Sequence, residues 1–272
     1  MLYSRIKKQN GRRDRTAFHS GKDETTAAMK IQAVIFDLGY TLWDVDYAGE
    51  PDAYGQASRF LANALGRPAP AAQELRDAVA AVFAREMEAW LSGNLEQKPT
   101  EEVYREAFAG LGLDVPDELL DRMDDVALSP SIRYTVDPET PQVLRALKER
   151  GLHVGAVSNT YQSRAALAKS LAAHGLLQYL DALVLSSEVG LEKPHPAIFQ
   201  EAMRQLGVTP GAAVFVGDIV WADVLGAQAL GMKAVLTHQY RREDPGEHKP
   251  DLVIERLAEV VGYVDRLNRE EG

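Results

Sequence analysis

Short apolar runs alternate with longer helical patterns along most of the chain. AVIFDL (33–38), HVGAVSN (153–159), ALVLSS (182–187), AAVFVGD (212–218) and KAVLT (233–237) are rich in Val, Ala and Leu. Such runs read as parallel strands buried on both faces. Between them, PETPQVLRALKERG and PAIFQEAMRQLG each place proline near a helix start and glycine just past its end, the usual punctuation of a helix. Strand and helix in turn predict an α/β fold with a parallel sheet covered by helices on both faces.

Residues 48–130 break this alternation. AYGQASRFLANALG, AAQELRDAVAAVFAREMEAWL and TEEVYREAFAGLG are long and amphipathic, with no strand-like run among them. An insertion between the first and second strands is expected above the carboxyl ends of the sheet, where open α/β folds bind ligands. It reads as a helical lid that excludes water from a site. The predicted organisation is thus a core of 29–47 and 131–272 with a helical insertion at 48–130. Residues 1–28 carry seven Lys or Arg against three acids and lack the apolar middle of a secretory signal, so they read as a disordered tail. Met29, directly before the first strand, reads as an alternative start of the chain.

Composition narrows the function classes. A chain of 272 residues with 46% hydrophobic content can bury a full core. It has no cysteine, which excludes disulfides and thiolate metal sites and points to the cytoplasm. The net charge is -10, and the +4 of the tail leaves -14 on the remainder, opposite to what a nucleic-acid backbone selects. No apolar stretch approaches the roughly 20 residues needed to cross a bilayer. Small molecules remain as the expected partners.

The candidate chemistry lies at strand ends. Asp37 follows VIF, Ser158 follows GAV, Asp218 follows VFVG, and Lys193 lies in LEKPHP after a further strand. A lone aspartate there is usually a cap or turn former, but four such groups on one sheet edge converge. Paired carboxylates suit a hard cation such as Mg²⁺, while a lysine and a hydroxyl hold an anion beside it. That set suits phosphoryl transfer with Asp37 as nucleophile. No GxxxxGK[ST], GxGxxG or HExxH motif is present, so the common nucleotide and zinc sites lack their hallmarks.

Four motifs in order, FDLGYTL, VSN, LEKPHPAIF and VGDIVWAD, resemble those of the haloacid dehalogenase superfamily, in its subgroup with a helical (C1-type) cap. The resemblance implies a Rossmann-like core, a cap at 48–130, and in most members a Mg²⁺-dependent phosphatase acting on a small phosphorylated metabolite. By the same resemblance Asp37 is nucleophile and metal ligand, and the Gly39 backbone carbonyl is a second ligand. Ser158 binds the phosphoryl oxygen, Lys193 offsets charge between nucleophile and phosphate, and Asp218 binds metal. Asp223 supports the metal site, and Asn159 positions either substrate or backbone.

Gly39 departs from the pattern, since phosphatases of this superfamily carry there a second aspartate that protonates the leaving oxygen and later activates water. Three readings follow. In the first, the protein is a phosphatase of reduced turnover whose acid comes from Tyr40, Asp44, Asp46, His195 or the cap. In the second, the chemistry is dehalogenation or phosphonate cleavage, against which stand the metal-binding pattern of VGDIVWAD and the solvent-facing look of Lys98, the one lysine of the insertion. In the third, the protein is a non-catalytic module that binds a phospho-ligand or partner. Trp43, Trp90 and Trp221 are either core residues or the lining of the entrance.

Overall fold

The computed structural model describes residues 30–270. The basic segment 1–28 and the expectations about it lie outside the described residues. Six parallel strands form the main sheet: β1 (Ala33–Phe36), β4 (His153–Ser158), β5 (Ala182–Leu185), β6 (Ala213–Gly217), β7 (Lys233–Thr237) and β8 (Leu252–Ile254), in the spatial order β5-β4-β1-β6-β7-β8. All five strands nominated from the sequence are present. Two short strands, β2 (Asp44–Asp46) and β3 (Arg133–Thr135), pair antiparallel outside that sheet.

The central strands are apolar on both faces because both faces are covered. Val34, Phe36, Val154, Ala156, Val214 and Val216 pack on one side with helices Thr140–Glu149, Arg164–Ala173 and Glu259–Glu270. Ala33, Ile35, Ala213, Phe215, Ala234 and Leu236 pack on the other, against helix Pro196–Leu206. The result is a three-layer, Rossmann-like α/β core. Helix Pro196–Leu206 has proline at its first position and ends at Gly207 in the left-handed region, as its punctuation predicts.

Between β2 and β3 the chain forms helices Ala53–Leu65, Ala72–Leu91 and Thr100–Gly110, followed by shorter turns down to Ser131. These helices bury a cluster of their own, centred on Leu61, Leu75, Val79, Tyr104 and Phe108. Where they meet the sheet, Gln97 N donates to Gly190 O at 3.0 Å and Glu192 N to Leu95 O at 2.8 Å. Nearby, Thr100 Oγ1 donates to Tyr161 O at 2.6 Å, and the Asp124 carboxylate accepts from Ser163 N at 2.7 Å. The inserted helices therefore rest on the loops that follow β4 and β5. Among the described residues no helix is long and apolar enough to cross a membrane.

Candidate active site

Sheet register brings the strand-end residues together. Phe36 lies opposite Ala156 on one side and Val216 on the other, so the chain leaves β1, β4 and β6 at one level with Asp37, Ser158 and Asp218. Asp37 N donates to Val216 O at 2.8 Å, which holds the nucleophile candidate against β6. Asp37, Ser158, Lys193, Asp218 and Asp223 are all buried.

Lys193 joins the cluster. Its Nζ donates to Asp37 Oδ1 at 2.6 Å, to Asp223 Oδ1 at 2.7 Å and to Val157 O at 3.3 Å. Burial alone would favour loss of the lysine proton, but the charges of Asp223 and Asp37 more than offset it, so Lys193 stays a cation. Desolvation dominates at Asp37 and raises its pKa to about 6 against the pull of Lys193. Asp218 is driven well above the carboxylate range by burial first, then by the charges of Asp37 and Asp223. Gly217 makes this crowding possible, because a Cβ there would lie 2.4 Å from Asp223 Cγ.

One oxygen from each of Asp37, Asp218 and Asp223 lies within 4.8 Å of the others. Three buried carboxylates so close together are the donor chemistry of a hard divalent cation, so these residues fit Mg²⁺. Asp223 has less to give than the other two. Its Oδ1 accepts from Lys193 and its Oδ2 from Ile219 N at 2.9 Å, which suits a supporting acid.

Asn159 has both ends of its amide on the Lys193 backbone, Oδ1 accepting from N at 2.8 Å and Nδ2 donating to O at 3.2 Å. That geometry ties the Asn159 side chain to the Lys193 backbone. Trp90 Nε1 donates to the same Lys193 carbonyl at 2.8 Å. Trp90 also meets Trp221 edge to face at 4.9 Å between ring centroids, and Trp43 is buried and stacked on Tyr134. The tryptophans thus pack the core and the seam beneath the inserted helices.

The groups weighed as substitutes for the missing acid have other partners. The His195 Nδ1 accepts from Ala197 N at 3.2 Å and caps helix Pro196–Leu206. Asp44 and Asp46 accept from their own turn, through Val45 N and Ala48 N, both at 2.9 Å. Lys98, weighed instead for phosphonate cleavage, bridges Glu86 at 2.8 Å and Glu106 at 2.6 Å. Tyr40 takes the left-handed φ of 57° in the turn after β1 and donates from its hydroxyl to Val45 O at 3.2 Å.

One residue of the site had no signal in the sequence. Arg241, from the loop after β7, pairs with Asp218 Oδ2, and its guanidinium lies 4.5 Å from the Tyr40 ring centroid. Its position belongs to no recognisable motif, and only the folded loop brings it to the sheet edge.

A family model described as haloacid dehalogenase-like hydrolase matches residues 31–231. The chain belongs to the haloacid dehalogenase-like hydrolases. Over 137 residues it is 34% identical to the glyceraldehyde 3-phosphate phosphatase of Methanopyrus kandleri, covering 49% of this chain and 58% of that protein. To the phosphoserine phosphatase of Thermus thermophilus it is 31% identical over 160 residues, covering 59% of this chain and 63% of that one. The chain so matches less than two thirds of the length of these curated relatives. Among solved structures, a 2-haloacid dehalogenase from Pseudomonas syringae pv. Tomato superposes with a TM-score of 0.61 at 25% identity, covering 87% of this chain and 99% of that one. The relatives thus include phosphatases by sequence and a dehalogenase by structure, and the site has to decide between them.

Proposed function

We propose that this haloacid dehalogenase-like hydrolase is a Mg²⁺-dependent phosphatase that acts on a small phosphorylated metabolite through an aspartyl phosphate on Asp37, with the segment 48–130 as its cap. The observation that carries the proposal is the bridge of Lys193 Nζ between Asp37 and Asp223, at 2.6 and 2.7 Å. A buried cation fixed against the nucleophile stands where a phosphoryl group's charge develops. Asp37 attacks phosphorus, the Ser158 hydroxyl donates to a phosphoryl oxygen, and Lys193 balances the charge. Asp37, Asp218 and the Gly39 carbonyl would hold Mg²⁺, which supplies electrostatic stabilisation of the phosphoryl oxygens. Asp223 orients Lys193, and Asn159 and Trp90 fix the backbone from which Lys193 projects.

The leaving oxygen still needs a proton, and Gly39 has none to give. A good leaving group such as an acyl phosphate needs little acid help, but activation of water in the second half of the reaction also lacks its base. The result is a phosphatase of low turnover. Halide chemistry fits less well, because departure of a halide needs no cluster of three buried acids.

Phosphate release from a panel of phosphorylated metabolites and acetyl phosphate, with and without Mg²⁺, tests the proposal. Native protein should release phosphate only with Mg²⁺, and Asp37→Asn should release none. Release that survives Asp37→Asn, or that ignores Mg²⁺, would refute it. Binding of phosphorylated ligands with no release at all would favour the non-catalytic module that Gly39 also allows.

A further inference from the structure

The loop between β7 and β8 carries a charge into the acid cluster that phosphoryl transfer does not use. Arg241 has only 14% of its side chain exposed and is ion-paired with Asp218 Oδ2, against the face of Tyr40. The residues around it are tied down on both sides. Gln239 Oε1 accepts from Leu257 N at 2.9 Å, and Tyr240 Oη accepts from Asp137 N at 2.8 Å. The Glu243 carboxylate accepts from Val220 N at 2.9 Å, and its backbone carbonyl lies 3.0 Å from His238 Nε2. Those ties fix the loop and aim Arg241 inward.

Tyr40, on which the guanidinium rests, holds a left-handed φ of 57° that is unfavourable for a side chain with a Cβ. The Tyr40 ring, held by that turn, and the pinned loop together form a seat for one arginine. Lys193 already bridges Asp37 and Asp223, so Arg241 gives the third carboxylate its partner. The chain supplies a cation to every acid of the cluster by itself.

A divalent cation in this cluster would draw on the Asp218 carboxylate, whose Oδ2 Arg241 engages. We propose that Arg241 is a resident counter-ion that competes with the divalent cation for Asp218, so that metal binds only as the guanidinium gives up that carboxylate. This rests on the metal-site reading above. Its consequence is a metal affinity set lower than the three carboxylates alone would give, with the cluster's charge partly offset while no metal is bound.

Calorimetric titration of the full chain with Mg²⁺ tests this. Arg241→Gln should bind Mg²⁺ about tenfold or more tightly than native protein, because a competing charge at contact distance has been removed. Arg242→Gln makes the same change of net charge one residue away, at a side chain paired with exposed Glu255, and should bind as native protein does. Thermal melting gives a second readout. Mg²⁺ should raise the melting temperature more in Arg241→Gln than in native protein, since ligand stabilisation grows with affinity. Should Arg241→Gln not fold, Arg241→Met, which keeps a long side chain against the Tyr40 ring but removes the charge, is expected to bind Mg²⁺ more tightly than native protein. Equal or weaker binding by the position-241 variant overturns the competition alone. Absence of Mg²⁺ binding in every variant overturns both the competition and the metal site.

Discussion

A Cβ at Gly39 would touch only Val45 Cγ2, at 3.5 Å, which is an ordinary contact, so space does not require glycine there. Glycine at this position is a chemical choice, and it is reversible. Gly39→Asp should raise steady-state phosphate release by about tenfold or more, within the 10²- to 10⁴-fold that a positioned acid-base can contribute. Unchanged or lower release would show that turnover is limited elsewhere. Glu192, beside Lys193, is raised to about 8 by burial and then by the Glu86 charge. Its folded value lies above the unfolded one, so its stabilising contribution is complete below about pH 4 and is lost as pH rises through 8. Glu192→Gln should therefore raise the melting temperature more at pH 8.5 than at pH 5.5, and an equal change at both would contradict the assignment. Asp37, Ser158, Lys193 and Asp218 were legible because each ends or follows an apolar run. Arg241 was not, because nothing in YRRED distinguishes a charge aimed at a site from one in solvent.

At the scale of elements, the same contrast holds between long and short ones. The five strands flanked by helices announce themselves through continuous burial. β8 has three residues and sits at the sheet edge, and β2 and β3 have three each, too few for any period to show. The pairing of Asp46 with Arg133 and of Asp44 with Thr135 joins residues on either side of the whole helical insertion, a register that no local pattern encodes. The seam between insertion and core is likewise built from single contacts, such as Trp90 Nε1 to the Lys193 carbonyl. Trp90→Phe keeps the ring and removes that bond, while Asn159 still donates to the carbonyl. The expected cost is about 1 kcal/mol, a fall in melting temperature of about 2–4 °C for a chain of this size class. A fall well beyond that would mean that the bond anchors the insertion as a whole.

Across the whole molecule, one edge of the sheet carries Asp37 just after β1, Lys193 from the loop beyond β5, and Asp218 and Asp223 beyond β6. The helical insertion rests on the loops after β4 and β5 that support this edge. On the proposed reading, Asp37, Ser158 and Lys193 form a phosphoenzyme, and the group that would clear it is replaced by glycine. Acid-quenched mass spectrometry of the Asp37 peptide during turnover with acetyl phosphate and Mg²⁺ tests that balance most directly. The expected result is a single phosphoryl adduct on Asp37 that accumulates toward one per chain in native protein and falls in Gly39→Asp. Steady phosphate release with no adduct on Asp37, or with an adduct elsewhere, would contradict it.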